Sequence, residues 1–463
     1  MKTPKNTTKT IAGYAHLYFA TGLLALIFPF NALAAIPIQQ WTLPNGAQVF
    51  LVQSDGIPMV DVQIDFDAGG RRDPAAKAGL ASVTAGMTSK GVFAQRGDTT
   101  KGEKPAPALD ENALSEAWAD LGASFTASAG TDRMSFSLRT LTYPDLLPRA
   151  TALAARQLGE PAFPDAVWQR ERQRIAASLQ EADRRPATVA NRAFSKAVYG
   201  THPYGLELTE ATLDKITVAD MQTLYRQDIA PCRATLSMVG AVNREQAQTL
   251  ALGLLANLPT TTDCAALPNV PEVQALSAAS ESIIPFDSAQ AHVFIGQPGY
   301  KRDDPDFFAL TLGNYILGGG GFVSRLTEEV REKRGLSYSV YSYFAPGLHA
   351  GAFTIGLQTR PDQAVQAVQV SRDVLARFVA DGPTEKEMRA AKDNLIGGFA
   401  LRIDSNRKLL DNVANIAWNH LPLNYLDTWT QAVKKLTAAD VKAAFERKLQ
   451  PKKMVTVIVG GAP

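Results

Sequence analysis

The sequence predicts an α+β protein built from two homologous halves, each with a sheet that carries helices on one face. Three observations predict this fold: a long internal repeat, strand patterns that precede helix patterns within each half, and a stretch rich in Pro, Thr, Ser and Ala between the halves. The length of 463 residues suits two or three domains, and 46% hydrophobic with 20% charged residues is ordinary globular composition.

The repeat joins segments that lie 220 positions apart. Residues 215–220 (Lys-Ile-Thr-Val-Ala-Asp) recur as residues 435–440 (Lys-Leu-Thr-Ala-Ala-Asp), and Pro231 meets Pro451 without a gap. In each copy the Thr can cap a helix, and the Asp three positions later complements the helix N-terminus. The Pro ends that helix, and a strand pattern closes the unit.

The two halves also open alike. Strand patterns lie at residues 47–52 and 59–66 in the first half and at residues 292–296 in the second. A turn rich in Gly and Asp follows the strands in each half, at residues 68–74 and 298–305, and a helix pattern comes next. The two halves therefore share one order of elements.

Later elements of the first half are predicted from periodicity. Alternation at residues 123–128 and 134–138 indicates a hairpin of half-buried strands. Residues 151–158 and 167–182 have helical patterns. Residues 95–108 are irregular, with two Gly and two Pro, and are interpreted as a surface loop.

The N-terminus has the layout of a cleaved secretory signal. Lys2, Lys5 and Lys9 precede an apolar run that is clearest at residues 17–30, and small residues follow. Cleavage after Ala34 would carry the chain across the inner membrane, to the periplasm, with no stable membrane span. The alternative is an uncleaved anchor, because the apolar segment nearly suffices to cross a bilayer.

The predicted domain boundaries follow from the signal and from the irregular stretch between the halves. They are a signal peptide at 1–34, an N-terminal domain at 35–257, a linker at 258–283 and a C-terminal domain at 284–463.

Charge and cysteine content narrow the class of protein. The 47 basic and 45 acidic residues nearly balance, which excludes the strong positive field of a nucleic-acid-binding protein. Cys232 and Cys264 are the two cysteines, too few for a disulfide framework or a four-cysteine metal site. They could pair in an oxidising compartment, or remain two buried thiols.

A family resemblance rests on three stretches together with the duplication. Residues 314–326 read Asn-Tyr-Ile-Leu-Gly-Gly-Gly-Gly-Phe-Val-Ser-Arg-Leu, and residues 327–340 continue Thr-Glu-Glu-Val-Arg-Glu-Lys-Arg-Gly-Leu-Ser-Tyr-Ser-Val. Residues 199–205 read Tyr-Gly-Thr-His-Pro-Tyr-Gly. In this order the features resemble the pitrilysin / mitochondrial-processing-peptidase family of inverted zincins, over nearly all of the mature chain. The resemblance implies that the two homologous domains form a half-chamber.

Active members of that family carry H-x-x-E-H on the first helix of the first half, where two His bind zinc and the Glu is the general base. Alignment of residues 79–87 places Ser82 and Gly86 at the two His positions and Ala85 at the base. Ser178 falls at the third ligand. We therefore expect no metal site on this chain.

The histidines agree with this expectation. The chain has five, and no two of them have the i, i+4 spacing of a helical zinc motif. His202 precedes Pro203 and is interpreted as a turn residue. A site assembled from scattered His and Glu residues, which would make the chain an autonomous zinc peptidase, is the remaining alternative.

The resemblance also identifies an Arg/Tyr pair. Active members supply an Arg and a Tyr from a later domain to the zinc-bound substrate, and Arg331 and Tyr338 match them. The Arg can grip a peptide carbonyl or carboxylate, and the Tyr hydroxyl can donate to an oxyanion. The alternative is that Arg331 lies on a solvated charged helix and Tyr338 only packs in a strand.

The glycine run Gly318, Gly319, Gly320 and Gly321, followed by Phe322, is predicted to contact substrate through exposed backbone. It is not a phosphate-binding loop, because no Gly-Lys-Ser/Thr follows. The alternative is a flexible end of the preceding helix.

The resemblance thus implies a non-catalytic, substrate-binding subunit of a heteromeric periplasmic zinc metallopeptidase. Such a chain would bind no cofactor itself, would be inactive alone, and would need a homologous H-x-x-E-H partner that carries the zinc. The alternative is a structural or peptide-holding member of the family with no role in proteolysis.

Overall fold

The computed structural model describes residues 36–95, 105–259 and 264–461. The predicted signal peptide and residues 96–104 of the predicted loop lie outside this range. Gln95 and Ala106, at the ends of the loop, pair through two backbone hydrogen bonds of 2.9 and 3.0 Å. Among the described residues, no helix combines the length and the apolar character needed to cross a bilayer.

The strands of the described residues fall in both halves of the chain. In chain order they are β1 Gln39–Thr42, β2 Gln48–Gln53, β3 Met59–Phe66, β4 Gly91–Val92, β5 Leu109–Asp110, β6 Ser124–Ala129, β7 Met134–Leu141, β8 Thr235–Gly240, β9 Ser280–Ile284, β10 Ala291–Pro298, β11 Ser339–Phe344, β12 Ala352–Thr359 and β13 Val455–Val459.

The α-helices of the same residues lie between these strands, with the longest runs between β7 and β8 and between β12 and β13. They are α1 Leu80–Met87, α2 Glu111–Asp120, α3 Leu147–Gly159, α4 Asp165–Asp183, α5 Pro186–Tyr199, α6 Glu210–Leu213, α7 Val218–Asp228, α8 Arg244–Leu254, α9 Phe307–Asn314, α10 Ala364–Asp381, α11 Glu385–Gly397, α12 Asn406–Trp418, α13 Tyr425–Lys435 and α14 Ala438–Lys448.

The two main sheets have the same topology. The first has the order β1-β2-β8-β3-β7-β6 and the second has the order β9-β13-β10-β12-β11. In each sheet the strand that closes its half pairs in parallel with an early strand of the same half, β8 with β2 and β13 with β9. It pairs antiparallel with its other neighbour, β8 with β3 and β13 with β10. Strand for strand, the second sheet repeats the first without β1, so the predicted α+β duplication is confirmed.

The repeated helices α7 and α14 begin in the way the sequence predicts. Thr217 accepts a hydrogen bond from the backbone N–H of Asp220 at 3.3 Å, and the Asp220 carboxylate accepts one from the N–H of Thr217 at 2.9 Å. Thr437 and Asp440 form the same reciprocal pair at 3.1 and 2.8 Å. Each pair satisfies two backbone donors at the helix start, which have no partner within the helix.

Each sheet is covered on both faces, because the halves exchange a helix. One face carries helices of the same half, as predicted. The other face of the first sheet carries α12, whose Leu410, Val413 and Ile416 are buried in one core with Phe50 and Val239. Helix α5 of the first half covers the second sheet in return, and its apolar residues Ala190, Phe194 and Val198 share a core with Val455, Val457 and Val459. Residues from 36 onward accordingly form one compact unit.

The segment at residues 264–279, which we call the inter-half segment, is extended and without regular structure. A disulfide between Cys232 and Cys264 fixes its start. Two side chains of the first half then form hydrogen bonds to its carbonyl oxygens. Arg72 donates to the carbonyl of Pro268 at 3.0 Å, and His202 donates to that of Pro271 at 2.8 Å. The segment overlaps the predicted linker, whose last residues join strand β9.

Candidate functional site

The candidate site is built on two π-helical turns, Tyr315–Gly319 and Thr327–Glu332. In the first, the N–H of Gly320 donates to the carbonyl of Tyr315 at 2.8 Å, and in the second, that of Lys333 donates to Glu328 at 3.0 Å. π-helical turns are rare in proteins, and those that occur often lie at functional sites. The first turn contains Gly318 and Gly319 of the glycine run, and the second contains Arg331.

The glycine run divides into one buried residue and three at the surface. A Cβ on Gly318 would lie 2.5 Å from the backbone nitrogen of Ser342, so only glycine lets the turn pack against strand β11. Gly321 has φ of +60°, with open space where a side chain would be. Backbone available to a ligand is therefore confined to Gly319, Gly320 and Gly321.

Arg331 lies between two exposed aromatic rings, an arrangement that we call the aromatic clamp. Its guanidinium carbon is 4.7 Å from the ring centroid of Phe322 and 4.8 Å from that of Tyr338. The two residues are 71% and 80% exposed, so the rings hold the cation at the surface. Cation–π contacts of this kind are worth roughly 0.5–1 kcal/mol each at exposed sites. The structure thus brings three of the predicted site residues together.

The polar groups of the aromatic clamp are available to a ligand. Among the described residues, Arg331 has one ion pair, in which its Nε lies 3.2 Å from Glu332, and the Tyr338 hydroxyl has no hydrogen-bond partner. The guanidinium can therefore present its outer N–H groups to a carbonyl or carboxylate. The hydroxyl beside it can donate one further hydrogen bond to the same ligand.

Arg325, which the sequence analysis did not single out, anchors this region. Its Nε and Nη2 donate to the two Glu387 oxygens at 2.6 and 2.8 Å, and Nη2 also reaches the Gly382 carbonyl at 3.0 Å. Burial works against ionisation of Glu387, but hydrogen bonds from Arg325 and Thr384 outweigh it and lower its pKa to about 2. The pair spans 62 positions, so no local sequence signal marks it.

The positions of the family's zinc ligands lie on α1 and α4. Ser82 and Gly86 are exposed on one side of α1, Ala85 is buried, and Ser178 is exposed on α4. Zinc sites use Cys, His, Asp or Glu donors, so these four residues do not fit a zinc ion. Within the described ranges, no group of three or more such side chains is arranged to hold a metal.

Helix α1 is held in place by a buried carboxylate. Asp73 accepts hydrogen bonds from the N–H groups of Gly79 at 2.8 Å and Ala81 at 3.0 Å. Burial raises the pKa of Asp73 to about 6, against the lowering effect of these hydrogen bonds. The helix is thus held in place although its residues at the predicted ligand positions are not metal-binding types.

His202 is a turn residue, as the sequence indicated. Its Nδ1 accepts from the N–H of Tyr204 at 3.1 Å and caps the short turn Pro203–Gly205, so its Nε2 carries the proton that reaches the Pro271 carbonyl. Burial lowers the pKa of His202, which favours this neutral form. The imidazole is fully used by structural contacts.

Comparison with known proteins places this geometry in a family. The sequence model described as "Peptidase M16 inactive domain" matches residues 215–395. The crystal structure of a peptidase M16 inactive domain from Pseudomonas fluorescens superimposes with a TM-score of 0.84 at 33% identity, covering 92% of this chain and 98% of that one. This chain belongs to the peptidase M16 family. The resemblance to pitrilysin-type peptidases is thereby confirmed at the level of the family.

Two further comparisons show how far the likeness extends. An uncharacterized zinc protease of Streptomyces coelicolor is 27% identical over 295 residues, a stretch that spans 62% of this chain and 64% of that relative. The periplasmic protease PqqL from Escherichia coli has the same fold, with a TM-score of 0.75 at 19% identity. That match covers 91% of this chain and 45% of PqqL, so PqqL is about twice as long.

Proposed function

We propose that this M16 chain is the non-catalytic, substrate-binding subunit of a heteromeric periplasmic zinc peptidase. The observation that carries the proposal is the aromatic clamp, in which Arg331 and Tyr338 present free donors side by side at the surface. A subunit with only a structural role has no need of such a pair. The zinc and the general base would come from a homologous partner with H-x-x-E-H.

The clamp can act on a peptide bond without any metal on this chain. Arg331 would bind a substrate carbonyl through the guanidinium edge that Phe322 and Tyr338 leave free. As water adds to the scissile carbonyl, negative charge grows on its oxygen, and the Tyr338 hydroxyl would donate a hydrogen bond to it. Because the clamp is assembled before substrate arrives, little reorganisation is needed when the charge develops.

Two observations support a partner chain and a periplasmic location. PqqL, described as a periplasmic protease, is about twice the length of this chain, so a second chain of similar size would complete an equivalent assembly. The disulfide between Cys232 and Cys264 suits an oxidising compartment. An oxidising compartment also agrees with the signal peptide that the sequence predicts.

The test is reconstitution with the homologous H-x-x-E-H chain of the same organism and an assay of peptide cleavage. The complex should cleave where neither chain does alone. Tyr338→Phe keeps the ring over Arg331 and removes only the hydroxyl, so kcat should fall on the order of 100-fold or more with KM little changed. The matched control is Tyr341→Phe, in the neighbouring strand.

The outcomes separate the two functions considered. A complex that cleaves equally well with Tyr338→Phe would contradict the oxyanion role. A stable complex that binds peptides but never cleaves them would favour the peptide-holding alternative. Zinc bound stoichiometrically by the isolated chain, with peptidase activity, would overturn the proposal.

A further inference from the structure

A pocket of about 360 Å³ lies where the two halves meet, and we call it the junction pocket. The first half contributes the turn between β6 and β7 and the end of α5, and the second half contributes the β11–β12 turn and the end of α12. Its lining includes Thr131, Arg133, Tyr199, Asn415, Trp418 and Asn419.

The pocket has a fixed wall that joins the halves. The Tyr204 hydroxyl donates to Asp132 at 2.6 Å and accepts from the N–H of His349 at 3.0 Å. The second Asp132 oxygen accepts from the N–H of Leu348 at 3.0 Å, and Arg71 pairs with the carboxylate at 3.2 Å. Asp132 is therefore used by the fold and brings no free charge to the pocket.

Other lining groups retain hydrogen-bonding capacity. Arg133 pairs through Nη1 with Asp65 at 2.9 Å, its guanidinium lies 5.5 Å from the Trp418 ring centroid, and its other nitrogens have no partner among the described residues. The Tyr199 hydroxyl accepts from the N–H of Ala352 at 2.7 Å and keeps its proton to donate. Burial raises the pKa of Tyr199 to about 12, so that proton stays in place.

The acceptors of the pocket come from two amides at the C-terminal end of α12, Asn415 within the helix and Asn419 just after it. The Nδ2 of Asn419 donates to the backbone carbonyl of Asn415 at 3.0 Å, which leaves the Asn419 side-chain oxygen free. The side-chain amide of Asn415 has no partner among the described residues. The pocket thus offers donors and acceptors together, with its charges paired and aromatic faces beside them.

We propose that the junction pocket is a second peptide-binding site, which holds a short, uncharged, extended segment of the substrate. Peptide backbone presents alternating N–H and C=O groups, which the mixed donors and acceptors can match, and the Trp418 and Tyr204 rings can pack against a side chain. An isolated anion or cation is disfavoured, because Arg133 and Asp132 already have counter-charges.

The location ties this site to the aromatic clamp, so the inference rests on the proposed function. Ala345, which lines the pocket, directly follows β11, and Tyr338 directly precedes that strand. Ala345 and Tyr338 are seven positions apart, a span of about 23 Å in extended chain. A peptide held at both sites would therefore need about seven residues beyond the bond at Tyr338.

The experiment measures peptide binding to the isolated mature chain by fluorescence polarisation. The probe is a fluorescein-labelled pool of uncharged random peptides about 12 residues long, which span roughly 40 Å when extended. Asn415→Phe fills the pocket and should weaken binding about tenfold or more. Asn415→Ala removes one amide and should weaken it about fivefold. The control, Asn394→Ala at an exposed position of α11, should bind as the wild type does.

Thermal melts show whether each variant is folded. If Asn415→Phe is misfolded, the binding measured for Asn415→Ala tests the inference. Equal binding by wild type and the folded Asn415 variant would overturn the inference. The inference would also be overturned if the wild type bound N-acetylglucosamine oligomers but no peptides, and the Asn415 variant lost that binding. The clamp is tested by peptide cleavage in the reconstituted complex and the junction pocket by peptide binding to the isolated chain, so failure of the clamp and failure of the junction pocket are told apart.

Discussion

The exchange of α5 and α12 predicts that the two halves unfold together, and Ile416→Ala tests this. Ile416 belongs to the second half but is buried, 1% exposed, in the core formed with Phe50, Val52 and Val239 of the first. The substitution removes three carbons worth about 0.8 kcal/mol each, and the cavity left behind raises the expected loss of unfolding free energy to about 3 kcal/mol.

The assay is urea denaturation of the mature chain, followed by far-UV circular dichroism and by tryptophan fluorescence. Both probes should report one coincident transition for the wild type and for Ile416→Ala, shifted to lower urea in the variant. Arg407→Ala on the same helix, where the side chain is 63% exposed, should change the free energy of unfolding by less than about 0.5 kcal/mol. Two separate transitions, with only one shifted by Ile416→Ala, would refute the reasoning.

Three further predictions follow from single contacts. Glu387→Gln breaks the two-point pair with Arg325 and should lower the free energy of unfolding by about 2 kcal/mol, measured by urea denaturation at neutral pH. His202→Asn keeps an acceptor for the turn but does not titrate. Because burial lowers the pKa of His202, the wild type should lose stability relative to this variant as pH falls below 6.5, and thermal melts that stay parallel down to pH 5 would contradict this. Cys232→Ser should cost about 3 kcal/mol in denaturant, since the disulfide to Cys264 closes a separation of 32 residues, and a reducing agent should destabilise the wild type but not the variant.

Local features of the fold were predictable because short segments encode them. The Thr217–Asp220 and Thr437–Asp440 pairs each need only four residues, and the structure has both. The alternation that predicts the β6–β7 hairpin is likewise contained in one stretch of sequence. Since these signals recur at one fixed offset, the duplication could be predicted as well.

Long-range features could not be predicted from periodicity. Helix α12 has an ordinary amphipathic pattern, and that pattern does not state which sheet its apolar side will cover. The sequence left the pairing of Cys232 and Cys264 open because 32 residues separate them, and the structure joins them. The Arg325–Glu387 anchor is hidden for the same reason, since each residue alone resembles a solvated charge.

The candidate site was predicted in part. The family resemblance supplied Arg331, Tyr338 and Phe322 as separate positions, but it did not indicate that the two rings enclose the cation. It also presented the glycine run as one surface loop, whereas Gly318 packs against Ser342 in the interior. The roles of all these residues stay predictions until the clamp variants are assayed.

The helix exchange also bears on how a substrate could reach the clamp. Each sheet has a helix of the other half on one face, with Phe194 and Ile416 buried there. Opening the chain between its halves would expose both of these cores, and burial of a large apolar side chain is worth about 1.5–3 kcal/mol. A chamber built from this chain is therefore expected to open between subunits, and not within one. In the proposed complex, the two donors of the aromatic clamp would then move as one rigid body toward the proposed partner's site. This requires the clamp to be assembled in the free chain, and the ring contacts around Arg331 meet this requirement.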